Sequence, residues 1–161
     1  MLCDMVSPRE APRPDAAPKA DGPSLVAVGI DGSDTAWRAL AWACGHARRA
    51  GCPVLAVYVS TSGYWDRVVP NTDATVAATT AADAAAQLLR TEVEQTAAGF
   101  GMRVGFVHRH GDPARELVTA AREHGADLLV VGTSAQLLHR VAGSLPGKLA
   151  RCREMPLVVV P

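Results

Sequence analysis

The stretch "SLVAVGIDGSDTAWRALAWACGHARRAG", Ser24 to Gly51, decides the fold. Its first seven residues are apolar at nearly every position, the pattern of a parallel strand covered on both faces rather than one with a wet side. After a short polar turn, Ala36, Leu40, Ala43, Cys44 and Ala47 recur on one helical stripe, with Asp34 available as N-cap. Arg48, Arg49 and Gly51 mark the helix end. Strand, tight turn and packed helix make one β–α unit.

The same alternation continues downstream. "PVLAVYVS" (Pro53 to Ser60) predicts a second strand, and an alanine-rich helix follows from about Asp73 to Ala98. "MRVGFVHRH" (Met102 to His110) predicts a third strand, and "GDPARELVTAAREHG" a third helix. There Asp112 stands as N-cap and Pro113 at the first helical position, where its missing N–H costs nothing. "DLLVVGT" predicts a fourth strand, Ser144 to about Arg151 a short helix, and "PLVVV" (Pro156 to Val160) a fifth strand. Five strands alternating with four helices imply a parallel α/β sheet with helices on both faces.

Residues 1–23 carry five of the chain's 11 prolines among alanines and charges of both signs, with no apolar periodicity. Such a segment buries too little surface to offset its ordering entropy, so residues 1–23 are expected to form a disordered tail and residues 24–161 one folded domain. The 161 residues are 48% hydrophobic, enough for one core. Sixteen basic and sixteen acidic residues cancel, which leaves no global field to collect nucleic acid or an anionic membrane. No segment has the length and apolarity of a membrane span or a signal peptide, so a cytoplasmic protein is expected. Cys3, Cys44, Cys52 and Cys152 show no metal-ligand spacing and read as reduced thiols.

In an open parallel sheet, ligands sit beyond the carboxyl ends of the strands where strand order reverses. The first and fourth strands end in "GIDGS" (Gly29 to Ser33) and "VGTS" (Val131 to Ser134). If those strands are neighbours, Asp31 and Gly132 flank one crevice. Asp31 can accept a hydrogen bond from a ribose or base, while Gly32, Gly132 and Gly143 admit a ligand close to backbone N–H groups. Equally, Asp31, Gly32 and Ser33 can form a tight turn that caps the first helix.

"VAVGIDGSDTAWRALAWA", "GDPARELVTAAREHGADLLVVGTS" and "GSLPGKLARCREMPLVVVP" resemble the opening, middle and closing segments of the universal stress protein (UspA-like) domain, in the right order. The similarity runs from Leu25 to Pro161. It implies a five-stranded sheet ordered 3-2-1-4-5 of the adenine-nucleotide alpha hydrolase-like (Rossmann-like) class. It also implies a dimeric stress-response factor rather than an enzyme, with ATP as the possible cofactor and Mg2+ only alongside ATP. A slow ATPase is the least favoured variant.

ATP-binding members of that family carry a loop of the form Gly, two residues, Gly, nine residues, Gly-Ser/Thr. In "VVGTSAQLLHRVAGSLPGKLARC" (Val130 to Cys152), Gly132 matches its first glycine, and Gly143 with Ser144 its last pair. Ala135 replaces the middle glycine, only seven residues separate it from Gly143, and Pro146 stands where a small hydroxyl residue often follows. A left-handed Ala135 costs about 1–2 kcal/mol. Losing two hydrogen bonds to charged phosphate oxygens costs roughly 3–6 kcal/mol more, or about two to four decades of affinity. The resemblance therefore leaves two readings: a nucleotide switch with a reduced phosphate loop, and a nucleotide-free module that works through an unidentified protein partner.

Other signals are weaker. "AGSLPGKL" is not a P-loop, because Ala142 holds its first glycine position and Leu149 stands where magnesium needs Ser or Thr. His108 and His110 share a strand face, but two such ligands alone make a weak site, so they read as a solvent-edge pair and no metal site is assigned. Trp37 and Trp42 read as packing residues. No nucleophile, base and orienting group can be assembled at the strand ends, so no catalytic residue is assigned. The final strand, Leu157 to Val160, is expected at a sheet edge and is the expected homodimer contact.

Overall fold

The computed structural model describes residues 24–61, 73–133 and 145–161. The expected tail, together with Ala135, Gly143 and Ser144, lies outside the described residues. In chain order the elements are β1 (Val26–Ile30), α1 (Asp34–Ala50), β2 (Val54–Ser60), α2 (Asp73–Gly99), β3 (Val104–His110), α3 (Pro113–Glu123), β4 (Leu128–Gly132), α4 (Leu145–Cys152) and β5 (Leu157–Val160). All strand pairs are parallel and the order is β3-β2-β1-β4-β5.

Strand position explains composition. Central β1 is buried along both faces, whereas edge strand β3 is only partly buried at most positions and exposed at Gly105 and His110. Alternate residues of each strand serve opposite layers. Val26, Val28, Ile30, Val54, Ala56 and Val130 face α1 and α2, where Leu40, Cys44, Leu89 and Val93 fill the core. Ala27, Leu55, Val57, Leu129 and Val131 face α3 and α4, against Leu117, Ala121 and Leu149.

The whole predicted stripe of α1 is buried, joined by Ala39. Four of its buried positions are alanine, which lets the helix axis approach the sheet, and Leu40 supplies the volume. The helix cap differs from the sequence reading. Ser33, not Asp34, is the N-cap: its hydroxyl accepts from the Ala36 N–H, and Asp34 occupies the first turn, where its charge favours the helix dipole. Trp42 also differs. Trp37 packs against the core, but Trp42 is 36% exposed and stacks on His46 one turn later, with ring centroids 5.0 Å apart. Helix α3 starts as read, with Asp112 accepting from the Arg115 N–H and Pro113 following it. Cys44 and Cys52 are buried and free, and burial pushes both thiols above the ordinary cysteine value. No helix among the described residues is long and apolar enough to cross a membrane.

Candidate functional site

Strand order reverses between β1 and β4, and the pairing there is short. The two strands run side by side only from Val26–Leu128 to Val28–Val130. Beyond that point Gly29 and Ile30 pair with Val57 and Tyr58 of β2, while Val131 and Gly132 pair with Val159 and Val160 of β5. The sheet therefore splits at its carboxyl edge, as right-handed twist accumulating across a parallel sheet favours. In a parallel sheet such a switch point is where a crevice lies, here between the end of β1 and the end of β4.

Asp31, Gly32 and Gly132 all lie at this split. Asp31 forms the turn into α1: its Oδ1 accepts from the Ser33 N–H at 3.0 Å and from the Ser33 hydroxyl at 2.6 Å. Gly32 takes φ +81° to complete the turn. Asp31 stays exposed, and its Oδ2 makes no hydrogen bond among the described residues. The capping role is thus present, and it leaves half the carboxylate available. Gly132 differs from expectation in what fills its missing side chain. A Cβ there would stand 2.5 Å from the carbonyl carbon and oxygen of Thr35, so the first turn of α1 occupies that space. Glycine at 132 brings the positive end of the α1 dipole onto the crevice.

Around the far end of the motif, Pro146 is buried in the first turn of α4, and Lys148 lies 3.5 Å from Asp112 at the start of α3. An open groove between α3 and α4 is lined by Arg115, Val118, Arg122 and Lys148 among others. Its charges are of both signs, with Arg122 paired to Glu154.

A second cluster stands at the ends of β2 and β3, on the face covered by α2. Tyr58 opposes His108 and Ser60 opposes His110 in the β2–β3 register. The Ser60 Oγ lies 2.9 Å from Nε2 of His108 and 2.7 Å from Nδ1 of His110. On the other side of the rings, Asp83 of α2 brings its Oδ1 to 3.4 Å from Nδ1 of His108 and 3.9 Å from Nε2 of His110. The Tyr58 ring stacks on His108 at 5.1 Å. Burial, then the neighbouring His110, pushes His108 below the ordinary histidine value, and Asp83 pulls the other way. The solvent-edge reading of the two histidines is corrected for His108, whose side chain is only 16% exposed. Asp83 could not be found from spacing, because it lies 25 residues before His108 on a separate helix. Its one signal is being an acid inside an alanine run.

The sequence profile of the universal stress protein family matches residues 25–161. The chain belongs to the universal stress protein family. Among solved structures, this universal stress protein is similar to one determined in complex with cAMP, at 26% identity and a TM-score of 0.66 over 85% of this chain and 95% of that one. It is equally similar to a family member from Burkholderia pseudomallei, at 26% identity and a TM-score of 0.67, covering 86% and 96% of the two chains. The universal stress protein UspA from Lactobacillus plantarum shares the fold at a TM-score of 0.72 and 22% identity, over 86% and 97%. No curated protein sequence matches the chain significantly.

Proposed function

We propose that this universal stress protein binds an adenine nucleotide in the β1–β4 crevice and acts as a dimeric, cytoplasmic stress-response switch rather than as an enzyme. The observation that carries the proposal is the split of the sheet with the Asp31 carboxylate and the α1 N-terminus beside it. Asp31 accepts from a ribose hydroxyl or base amine through its Oδ2, and Gly32 keeps that approach open. Gly132 seats the helix dipole at the crevice. Gly143 and Ser144 offer backbone and hydroxyl donors to phosphate, as the family loop implies. The relative solved with cAMP supports the adenine class. ATP is a candidate ligand, with Mg2+ bound only through its phosphates.

A specific observation favours the second reading, a nucleotide-free interaction module. Pro146 is buried at the start of α4 and has no N–H to offer a phosphate. Small molecules released from the denatured, purified protein and weighed by mass spectrometry separate the two, with AMP, cAMP or ATP expected. Calorimetry then tests the site: Gly143→Glu puts a side chain and a negative charge where phosphates lie, and nucleotide binding is expected to vanish. Unchanged affinity in that variant moves the site elsewhere. Absence of nucleotide binding by the native protein leaves the interaction module standing.

A further inference from the structure

We propose that Asp83, His108 and His110 form a binding site for a divalent first-row transition cation of the zinc class. The proposal rests on the side-chain geometry at the β2–β3 ends and needs no nucleotide.

Distances come first. One ligand atom from each residue lies within 4.8 Å of the other two, and Asp83 Oδ1 is 3.4 and 3.9 Å from the two histidine nitrogens. Zinc bound by imidazole nitrogen and carboxylate oxygen at about 2.0–2.1 Å sets its tetrahedral ligands about 3.3 Å apart. No two ligand atoms are more than 4.8 Å apart, so closing the site shortens any gap by under about 1.5 Å, within reach of His110 and Asp83, whose side chains are 46% and 60% exposed. Two imidazoles with one carboxylate suit zinc, cobalt, nickel or iron(II) and do not suit magnesium or calcium, which prefer all-oxygen sites. Three protein ligands leave at least one coordination position open to water, on the solvent side of Asp83 and His110.

Hydrogen bonding makes the stronger argument. To bind a cation, His108 must offer the lone pair of Nδ1 and His110 that of Nε2, so the protons must sit on Nε2 of His108 and Nδ1 of His110. Those two nitrogens are the ones that face Ser60 Oγ. A hydroxyl oxygen accepts two such bonds and donates one. The Arg109 carbonyl lies 3.4 Å away on the same hydroxyl, in position to accept it. That is the one tautomer pair that leaves both metal-facing nitrogens free; without a cation it sets two nitrogen lone pairs against Asp83 Oδ1, and a bound cation turns that repulsion into coordination. Ser60 is a positioning residue, and holding a ligating histidine by its second N–H is how proteins orient such ligands.

The atoms also admit a Ser60–His108–Asp83 relay. A nucleophilic role fits poorly, because Ser60 is 9% exposed and its hydroxyl is held between two rings. The cluster lies about 10 Å along the strand-end rim from the β1–β4 crevice, two strand spacings away, so its occupancy can be read without nucleotide.

The test uses the full chain, stripped with chelator and freed of nucleotide, titrated with Co2+ and with Zn2+ in competition. One Co2+ per chain is expected, with the visible absorption of a four- or five-coordinate nitrogen–oxygen site and no thiolate charge-transfer band. His110→Gln and Asp83→Asn, both at exposed side chains, are each expected to weaken Co2+ binding by at least about tenfold with circular dichroism unchanged. Ser60→Ala is expected to weaken it about 10- to 100-fold and Ser60→Thr to restore it. Nitrogen-15 shifts of the imidazoles with Zn2+ bound are expected to show His108 protonated at Nε2 and His110 at Nδ1. No Co2+ or Zn2+ binding by the folded native chain overturns the proposal. So do affinities unchanged in both His110→Gln and Asp83→Asn, or a thiolate band marking a cysteine site.

Discussion

Gly132 lacks a side chain because the backbone of Thr35 stands where one would go. A methyl group 2.5 Å from a peptide carbonyl cannot be absorbed by rotating a side chain, since both neighbours are main chain. Gly132→Ala is therefore expected to cost at least about 1–3 kcal/mol, through displacement of the α1 N-terminus or the end of β4. Urea denaturation measures it, and a loss under about 0.5 kcal/mol, the ordinary range of a surface change, means the contact is relieved without strain. The sequence marks this glycine as one that lets something close to the backbone, and it is. What comes close is the chain's own helix, which no one-dimensional pattern could distinguish from a ligand.

Elements were more legible than their contacts. The strand and helix order followed from apolar runs and a helical stripe, because burial on two faces or one leaves a period in the residues themselves. Asp112 before Pro113 announced α3 just as directly. The Asp112 carboxylate accepts from the Arg115 N–H, and chiefly that bond, helped by Lys148, holds its pKa below the ordinary value of 3.8. Asp112→Ala is expected to cost about 0.5–2 kcal/mol at neutral pH. A lowered folded-state pKa means the unfolded chain binds the extra proton, so the contribution is whole above pH 3.8 and is lost as pH falls through the folded value. The gap between native and variant stability should accordingly narrow below pH 3.8, and a gap that stays constant to lower pH shows that the carboxylate charge is not what caps α3. Site chemistry was less legible because it joins elements. Asp31 and Gly132 were paired only through the expected strand order, and Asp83 reaches His108 and His110 only once α2 lies across β3. Ser33 displaced Asp34 as the cap because both are good capping residues in consecutive positions, and the sequence does not say where the helical dihedrals begin.

At the scale of the whole molecule, the sheet ends on β5, and the ladder tells which of its groups are spent. Leu129 N–H donates to the Pro156 carbonyl at 3.0 Å, and Thr133 N–H to the Val160 carbonyl at 2.8 Å. Groups on alternate residues of a strand point the same way, so Pro156, Val158 and Val160 face β4 while Leu157 and Val159 turn their N–H and C=O to the open edge. Val159 is also 41% exposed, one of the few large apolar side chains left in water among the described residues. An edge of this kind with zero net charge has no repulsion to protect it. We propose that the same strand of a second copy, related by a two-fold axis, covers it, which would close the assembly at two. Val159→Pro removes an outward donor and leaves the β4–β5 ladder intact, so it separates assembly from folding. The native protein should run as a dimer by light scattering at micromolar concentration, and Val159→Pro as a folded monomer or an aggregate. A native monomer, or a variant that stays a clean dimer, means that β5 is not the interface and that some other surface joins the copies or none does.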